Sequence, residues 1–381
     1  MSDQNAGIPP VPSEAPAPQQ PPQVAPPPRP PAPMAAPRKR SPLRWLALVL
    51  LGLFGIAGMC FVGLVLLVLF VGWAAAKQPQ RSFGEELITG AGPDKVVVIE
   101  VKGIILDQSE EGMFGMRESF VERVTKQLRR AGKDPAVKAV VLAVDSPGGG
   151  VTASDVLCNE IKKLKAAGKK VIVHMGDLCA SGGYYISAPA DCIMAGPTTL
   201  TGSISVVGHF LDMSVLLEQK LGVKAAVIKT GRYKDIGSPF RPMEPEEQAL
   251  LKLVLDDFHR RFVDIVTAGR AGHGPLPADV KQAAKTVGEL ADGRIFTATQ
   301  ALQSGLVDAI GFREDAYEKA KEVARLEQAS VVRYRRRGGL VDILVGDIEG
   351  RVNVNAGVQI DAGELTRRLT PRFEFRWYPA P

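Results

Sequence analysis

Histidine and cysteine are both scarce in this chain, four of each among 381 residues, and their placement excludes more than their number does. Cys60 falls in a long apolar run, which leaves Cys158, Cys179 and Cys192 for the rest of the chain, with no Cys-x-x-Cys pair. Three thiols cannot all pair and their spacing fits no zinc site. They read as small buried apolar residues with room for one disulfide, and neither a metal nor another cofactor is expected. Aromatic residues make up 6% of the chain, and the net charge of +6 is spread along it without a basic stripe. Nucleic acid is therefore not an expected partner. Charge is missing altogether from Trp45 to Ala76, and aliphatic periodicity is missing from residues 1–44, which hold 15 of the 29 prolines.

The last two absences set the organisation. A proline-rich, non-periodic segment cannot bury a core, so residues 1–44 are expected to be a disordered, polyproline-like tail, open to a cytoplasmic partner. The 29 residues from Trp45 to Trp73 are all apolar or small. As a helix they run about 43 Å against about 30 Å of hydrocarbon, so 45–76 reads as a transmembrane anchor. The apolar core of a signal peptide spans only about 7–15 residues. Arg38, Lys39, Arg40 and Arg44 precede the span, and only Lys77 and Arg81 follow it closely. The positive-inside rule then puts the N-terminus in the cytoplasm and the rest of the chain beyond the inner or cytoplasmic membrane.

After a linker at 77–94, apolar runs alternate with amphipathic patterns. Val97–Val101, Ala139–Val144, Val171–Met175, Cys192–Ala195 and Ala225–Lys229 read as strands; Glu118–Arg130, Ser154–Ala167, Gly182–Ala188 and Ser214–Leu221 read as helices. Such alternation predicts an α/β domain with buried parallel strands. From Glu244 to Ala268, Leu251, Leu255, Phe258, Phe262 and Ile265 share one face, the pattern of a packed core helix. Arg372-Phe-Glu-Phe-Arg-Trp-Tyr378 alternates like a strand and is expected at a subunit edge or near a cleft.

Two strand-to-helix turns carry the chemistry. In Asp145-Ser-Pro-Gly-Gly-Gly150 the glycines leave backbone N–H groups open, which suits phosphate or an oxyanion. The run lacks the Gly-Lys-Ser/Thr ending of a phosphate loop and the spacing of a dinucleotide fingerprint, so the oxyanion is preferred. Thr152 with Asp155 suggests a capping box for the following helix. Ser181 opens the second turn, Ala180-Ser-Gly-Gly-Tyr-Tyr185, and Lys234 lies in Thr230-Gly-Arg-Tyr-Lys-Asp-Ile-Gly-Ser-Pro-Phe-Arg-Pro-Met243. A serine hydroxyl needs a neighbouring base to take its proton. Lysine serves only if its pKa falls from about 10.4 to near 7, about 4.6 kcal/mol against the charged form, which requires a desolvated site. Otherwise the serine is an N-cap and the lysine a solvated charge.

Those motifs, with Thr201-Gly-Ser-Ile204 and Asp292-Gly-Arg-Ile-Phe296 through Gly305-Leu-Val-Asp308, resemble as a set the signal peptide peptidase A family in its short, single-module form. That family lies within the Clp-protease/crotonase superfold. The resemblance implies a repeated ββα superhelical fold over 95–325, followed by a C-terminal extension at 326–381. It implies that Ser181 is the nucleophile, Lys234 the general base and acid, and Gly148 with Gly182 the oxyanion donors. It further implies a membrane-tethered serine endopeptidase that degrades remnant signal peptides, as a homo-oligomer in which serine and lysine can meet across a subunit boundary. Ser205 stands where the family usually has glycine, beside the nucleophile's cleft. Four other readings compete. One is a Ser/His/Asp triad using His209, and another is a crotonase-type acyl-CoA enzyme. The third is a non-enzymatic membrane scaffold, and the fourth a related membrane Ser/Lys protease acting on stomatin-like partners.

Overall fold

In the computed structural model, which describes residues 42–76, 83–108, 110–112, 115–336 and 372–376, the apolar run forms one helix, α1 (Pro42–Ala76). The proline-rich tail falls almost wholly outside the described residues. Within α1 the stretch Val49–Leu66 is long and apolar enough to cross a membrane. Leu51, Phe54 and Met59 are exposed on it. Residues 1–78 form one unit and residues 79–381 a second.

The second unit opens with β1 (Phe83–Thr89), β2 (Lys95–Lys102), the hairpin β3 (Glu110–Gly112) and β4 (Gly115–Arg117), then α2 (Phe120–Lys133). There follow β5 (Val137–Ser146), β6 (Gly148–Gly150), α3 (Val151–Ala166), β7 (Lys170–Ala180), α4 (Gly182–Ser187), β8 (Cys192–Ala195), β9 (Leu200–Gly202) and β10 (Val207–His209). The chain ends through α5 (Pro245–Arg270), α6 (Val280–Leu290), β11 (Ile295–Thr297), α7 (Ala298–Gln303), β12 (Ala309–Ile310), α8 (Arg313–Val323), β13 (Ser330–Arg336) and β14 (Arg372–Arg376).

The main sheet runs β1-β13-β2-β5-β7-β8-β12, with β9 on the far end of β7 and β11 on β9. Its central pairs are parallel, so the unit is α/β with a largely parallel sheet. Val140, Leu142 and Val144 of β5 face one core cluster, and Ala139, Val141 and Ala143 face the other. Burial on both faces is why the strand reads as an unbroken apolar run rather than an alternation. On α2, Val121, Val124, Leu128 and Ala131 line the buried stripe, and the Ser119 hydroxyl accepts the Glu122 N–H at 3.0 Å to start the helix.

Several expectations are corrected. β1 lies within the stretch read as a linker and β13 within the C-terminal extension, yet β13 sits between β1 and β2 in the main sheet. Ala225–Lys229 forms no strand; it is irregular and exposed, because β-branched residues form a strand only where a partner and a packed face exist. The helix expected at Ser214–Leu221 is mostly a π-helical turn, Leu216–Lys220. No capping box opens α3, whose N-cap is Gly150. The face of α5 is divided: Phe262 and Ile265 enter the core, while Leu251 and Leu255 line a cavity. All four cysteines are free; three are buried, and burial pushes the Cys158 and Cys192 thiols up to about 11.

Candidate active site

Ser181 stands where β7 turns into α4, at φ 53° and ψ −115°. That is a left-handed conformation which a residue with a Cβ holds only when its surroundings impose it. Here the Ser181 N–H donates to the Gly202 carbonyl at 2.8 Å, and the Ser181 carbonyl accepts the Tyr185 N–H at 2.8 Å. Ser181 occupies the N-cap position, but its hydroxyl makes no capping hydrogen bond. The capping role that a serine at this junction would ordinarily have is therefore absent. The residue is 1% exposed.

The two glycine turns meet beside it. A Cβ on Gly183 would lie 2.9 Å from the Ser146 carbonyl oxygen, and one on Gly149 would lie 2.1 Å from the Ile105 carbonyl oxygen. Only glycine permits these approaches. The Gly148 N–H, which sequence reasoning assigns to an oxyanion, donates to Ser146 Oγ at 3.1 Å. It reaches a substrate oxygen only when that bond opens. Gly182 begins α4, where N–H groups have no acceptor inside the helix.

Lys234 is exposed, in a run of turns between β10 and α5, whereas Ser181 is buried. What fixes that run is an ionic cluster that sequence reasoning missed. Arg241 Nη2 donates to Asp235 Oδ1 at 2.8 Å and to Glu247 Oε1 at 2.6 Å, and Lys229 also pairs with Asp235. The Arg241 guanidinium holds Glu247 down at about 2. Asp235 and Arg241, neighbours of Lys234 in its motif, thus hold the run in shape, and the clustered acids and bases around Lys234 were the signal. His209, the alternative base, lies in β10, exposed and paired along the backbone with Arg372.

A second missed cluster supports α4 from beneath. Arg270, fully buried, holds Asp308 with two bonds of 2.9 and 2.7 Å and also donates to the Gly305 carbonyl. Burial alone would raise the Asp308 pKa, but Arg270 with the Ile193 N–H and His273 keeps it below the usual range. Tyr184 donates to the Leu306 carbonyl at 2.8 Å, and Tyr185 to Asp155 Oδ1 at 2.6 Å. Asp155, expected to cap α3, instead ties α4 to Arg261 of α5. Next to β10 lies a cavity of about 470 Å³ lined by Val206, Phe210, Met243, Leu251 and Leu255, with Ser205 on its wall.

The segment bearing the Ser181 turn has known counterparts. A match to Peptidase family S49 covers residues 163–327. The "Putative signal peptide peptidase SppA" of Enterococcus faecium is 39% identical over 252 residues, covering 66% of this chain and 70% of that protein. The chain belongs to Peptidase family S49. It is thus a serine protease by family. Protease 4 of Salmonella typhi is 36% identical over 258 residues, and this S49 peptidase spans only 39% of it. "Serine protease SPPA, chloroplastic" of Arabidopsis thaliana is 32% identical over 286 residues, covering 73% of this chain and 40% of that protein. A solved mutant of the 1510-N membrane-bound stomatin-specific protease aligns at TM-score 0.36 and 14% identity over 61% of this chain and 86% of that one, too weakly to bear on the reading.

Proposed function

We propose that this S49 peptidase is a membrane-anchored endopeptidase in which Ser181 is the nucleophile and Lys234 of a neighbouring copy is the base. The observation that carries the reading is the left-handed, uncapped conformation of Ser181 at a buried strand-to-helix junction. Ser181 Oγ attacks the peptide carbonyl as Lys234 Nζ takes its proton, and the same ammonium then protonates the leaving amine. The Gly182 N–H, joined by Gly148 once it leaves Ser146, holds the oxyanion. Water enters to cleave the acyl-enzyme by the reverse proton path. An exposed lysine stays charged at neutral pH, so docking of a second copy supplies the desolvation the base needs.

On this reading the domain, from β1 through β13, adopts a Clp-protease/crotonase-like arrangement, works outside the cytoplasm, and degrades peptides left in the membrane, remnant signal peptides among them. The name of the Enterococcus relative and the apolar helix support that substrate class. The test is fluorophosphonate labelling and hydrolysis of an aliphatic peptide by the full chain. Labelling and cleavage are expected to vanish in S181A, with cleavage falling by at least about 10³-fold in K234A. Mixing the two inactive variants is expected to restore part of the activity, because one contributes the serine and the other the lysine. Wild-type labelling that survives S181A would sink the assignment, and failure of the mixture would place the dyad within one chain.

A further inference from the structure

The two glycine turns each run straight into a helix: Gly150 is the N-cap of α3 and Ser181 the N-cap of α4. α4 is only six residues long and begins with two glycines, so it has little rigidity of its own. Tyr185 steadies it. Its N–H donates to the Ser181 carbonyl, and its hydroxyl donates at 2.6 Å to Asp155 Oδ1 on α3. The Tyr185 ring is fully buried and meets Phe262 of α5 edge-on, with 5.0 Å between centroids. Burial, with the bond to Asp155, pushes the phenol pKa well above its usual value, so the hydroxyl stays a donor at any working pH. Arg261 of α5 holds the same carboxylate, with Nη2 at 2.8 Å from both oxygens and Nε at 3.1 Å from Oδ1. Asp155 therefore joins α3, α4 and α5 at one point, about one turn along each of the two helices that leave the glycine turns.

We propose that Asp155 is a positioning residue for peptide hydrolysis: through Tyr185 on one side and Arg261 on the other, it fixes the separation of the two turns that supply the oxyanion's N–H donors. The inference rests on the assignment of Ser181 as nucleophile, with Gly148 and Gly182 as donors. Asp155 itself reaches no reacting atom. The Asp155 side chain is 34% exposed and that of Arg261 55%, and pairs so exposed add little to stability. What the pair does is limit the play of Tyr185, and the Ser181 carbonyl moves with the Tyr185 N–H. Oxyanion donors must lie about 2.7–3.1 Å from the developing charge. Slack between α3 and α4 therefore weakens binding of the transition state more than binding of the peptide, and the loss falls on kcat. α5 also carries Glu247, which grips Arg241 in the Lys234 run, so the seating of this one helix bears on both groups of the dyad.

The test compares D155N, Y185F and the D155N/Y185F double variant with wild type, each as the full chain in detergent. D155N keeps the shape of the side chain and removes its charge, whereas Y185F removes only the hydroxyl. Each single variant is expected to lower kcat about ten- to hundredfold with KM within about twofold, while the urea midpoint stays near that of wild type. Affinity for a peptide boronate, which reproduces the tetrahedral state, is expected to fall by the same factor as kcat/KM. The double variant is expected to be no worse than the poorer single one, because both substitutions break the same contact. Unchanged kcat in both single variants overturns the proposal. So do losses that multiply in the double variant, and losses that appear in KM or in the urea midpoint instead of kcat. A wild type that takes no fluorophosphonate, or labelling that survives S181A, sinks the nucleophile assignment and this proposal with it. Labelling confined to Ser181 with kcat unchanged in both variants removes this proposal alone.

Discussion

At the residue scale the site depends on groups kept where they would not settle unaided. Ser181 holds a positive φ because β9 accepts its N–H and α4 takes its carbonyl. Arg270 is fully buried because Asp308 and the Gly305 carbonyl together meet its donors. Removing the guanidinium leaves the half-buried Asp308 carboxylate to the Ile193 N–H and His273 alone, a loss of about 1–3 kcal/mol. R270A is therefore expected to lower the urea midpoint of the full chain sharply, and a midpoint within error of wild type would show that the pair is not what supports α4. The histidines divide along the same line: His273 joins Asp308 at 2.8 Å, whereas His174 is buried in β7 with its pKa lowered by burial.

At the element scale α2 and α3 are joined by charge as well as by packing. Arg129 of α2 clasps Glu160 of α3 with bonds of 2.8 and 2.9 Å, and Lys163 adds a third at 2.9 Å. Arg129 brings the Glu160 pKa down to about 2 against the opposing effect of burial. Because the folded pKa is depressed, the stabilisation is whole above the unfolded value of 4.5 and is lost as pH falls through about 2. With the Arg129 head exposed to solvent, the pair contributes about 1 kcal/mol. E160Q is expected to melt earlier than wild type at pH 7, with the two melting curves converging near pH 2; a gap that does not change with pH would assign the loss to packing. The positions of α2, α3, α4 and α5 were legible in sequence to within a few residues, since residues such as Val121, Val124 and Leu128 carry the helical period themselves, whereas α6, α7 and α8 were not read. The strand at Ala225–Lys229 was misread because composition alone does not supply a pairing partner.

At the scale of the whole molecule the run between β10 and α5 is unusual. Val215, Leu216, Leu221, Val223 and Val227 are all exposed, and Ile228 is fully so. Isolated exposed apolar residues are ordinary, but a run of them beside the candidate base fits an interface between copies. The L221D/I228D variant is expected to sediment as a smaller species than wild type and to lose peptide cleavage. Full assembly with full activity in that variant would remove this run from the interface. The divided face of α5 belongs to the same pattern, since Leu251 and Leu255 open onto a cavity rather than the core.

By itself the sequence determined the membrane-length apolar run, the α/β alternation, the two glycine turns and the family. Each is a local property: hydropathy over some twenty residues, β-branched runs, or backbone freedom at consecutive glycines carries its meaning without a distant partner. Tertiary structure alone decided that Lys234 stays exposed in a single chain, that Gly148 donates to Ser146, and that Asp308 closes on Arg270. It also decided that residues 372–376 lie between β6 and β10. Burial and pairing are properties of neighbours brought from far along the chain. Asp308 and Ile193, 115 residues apart, are joined by a hydrogen bond that no local pattern encodes.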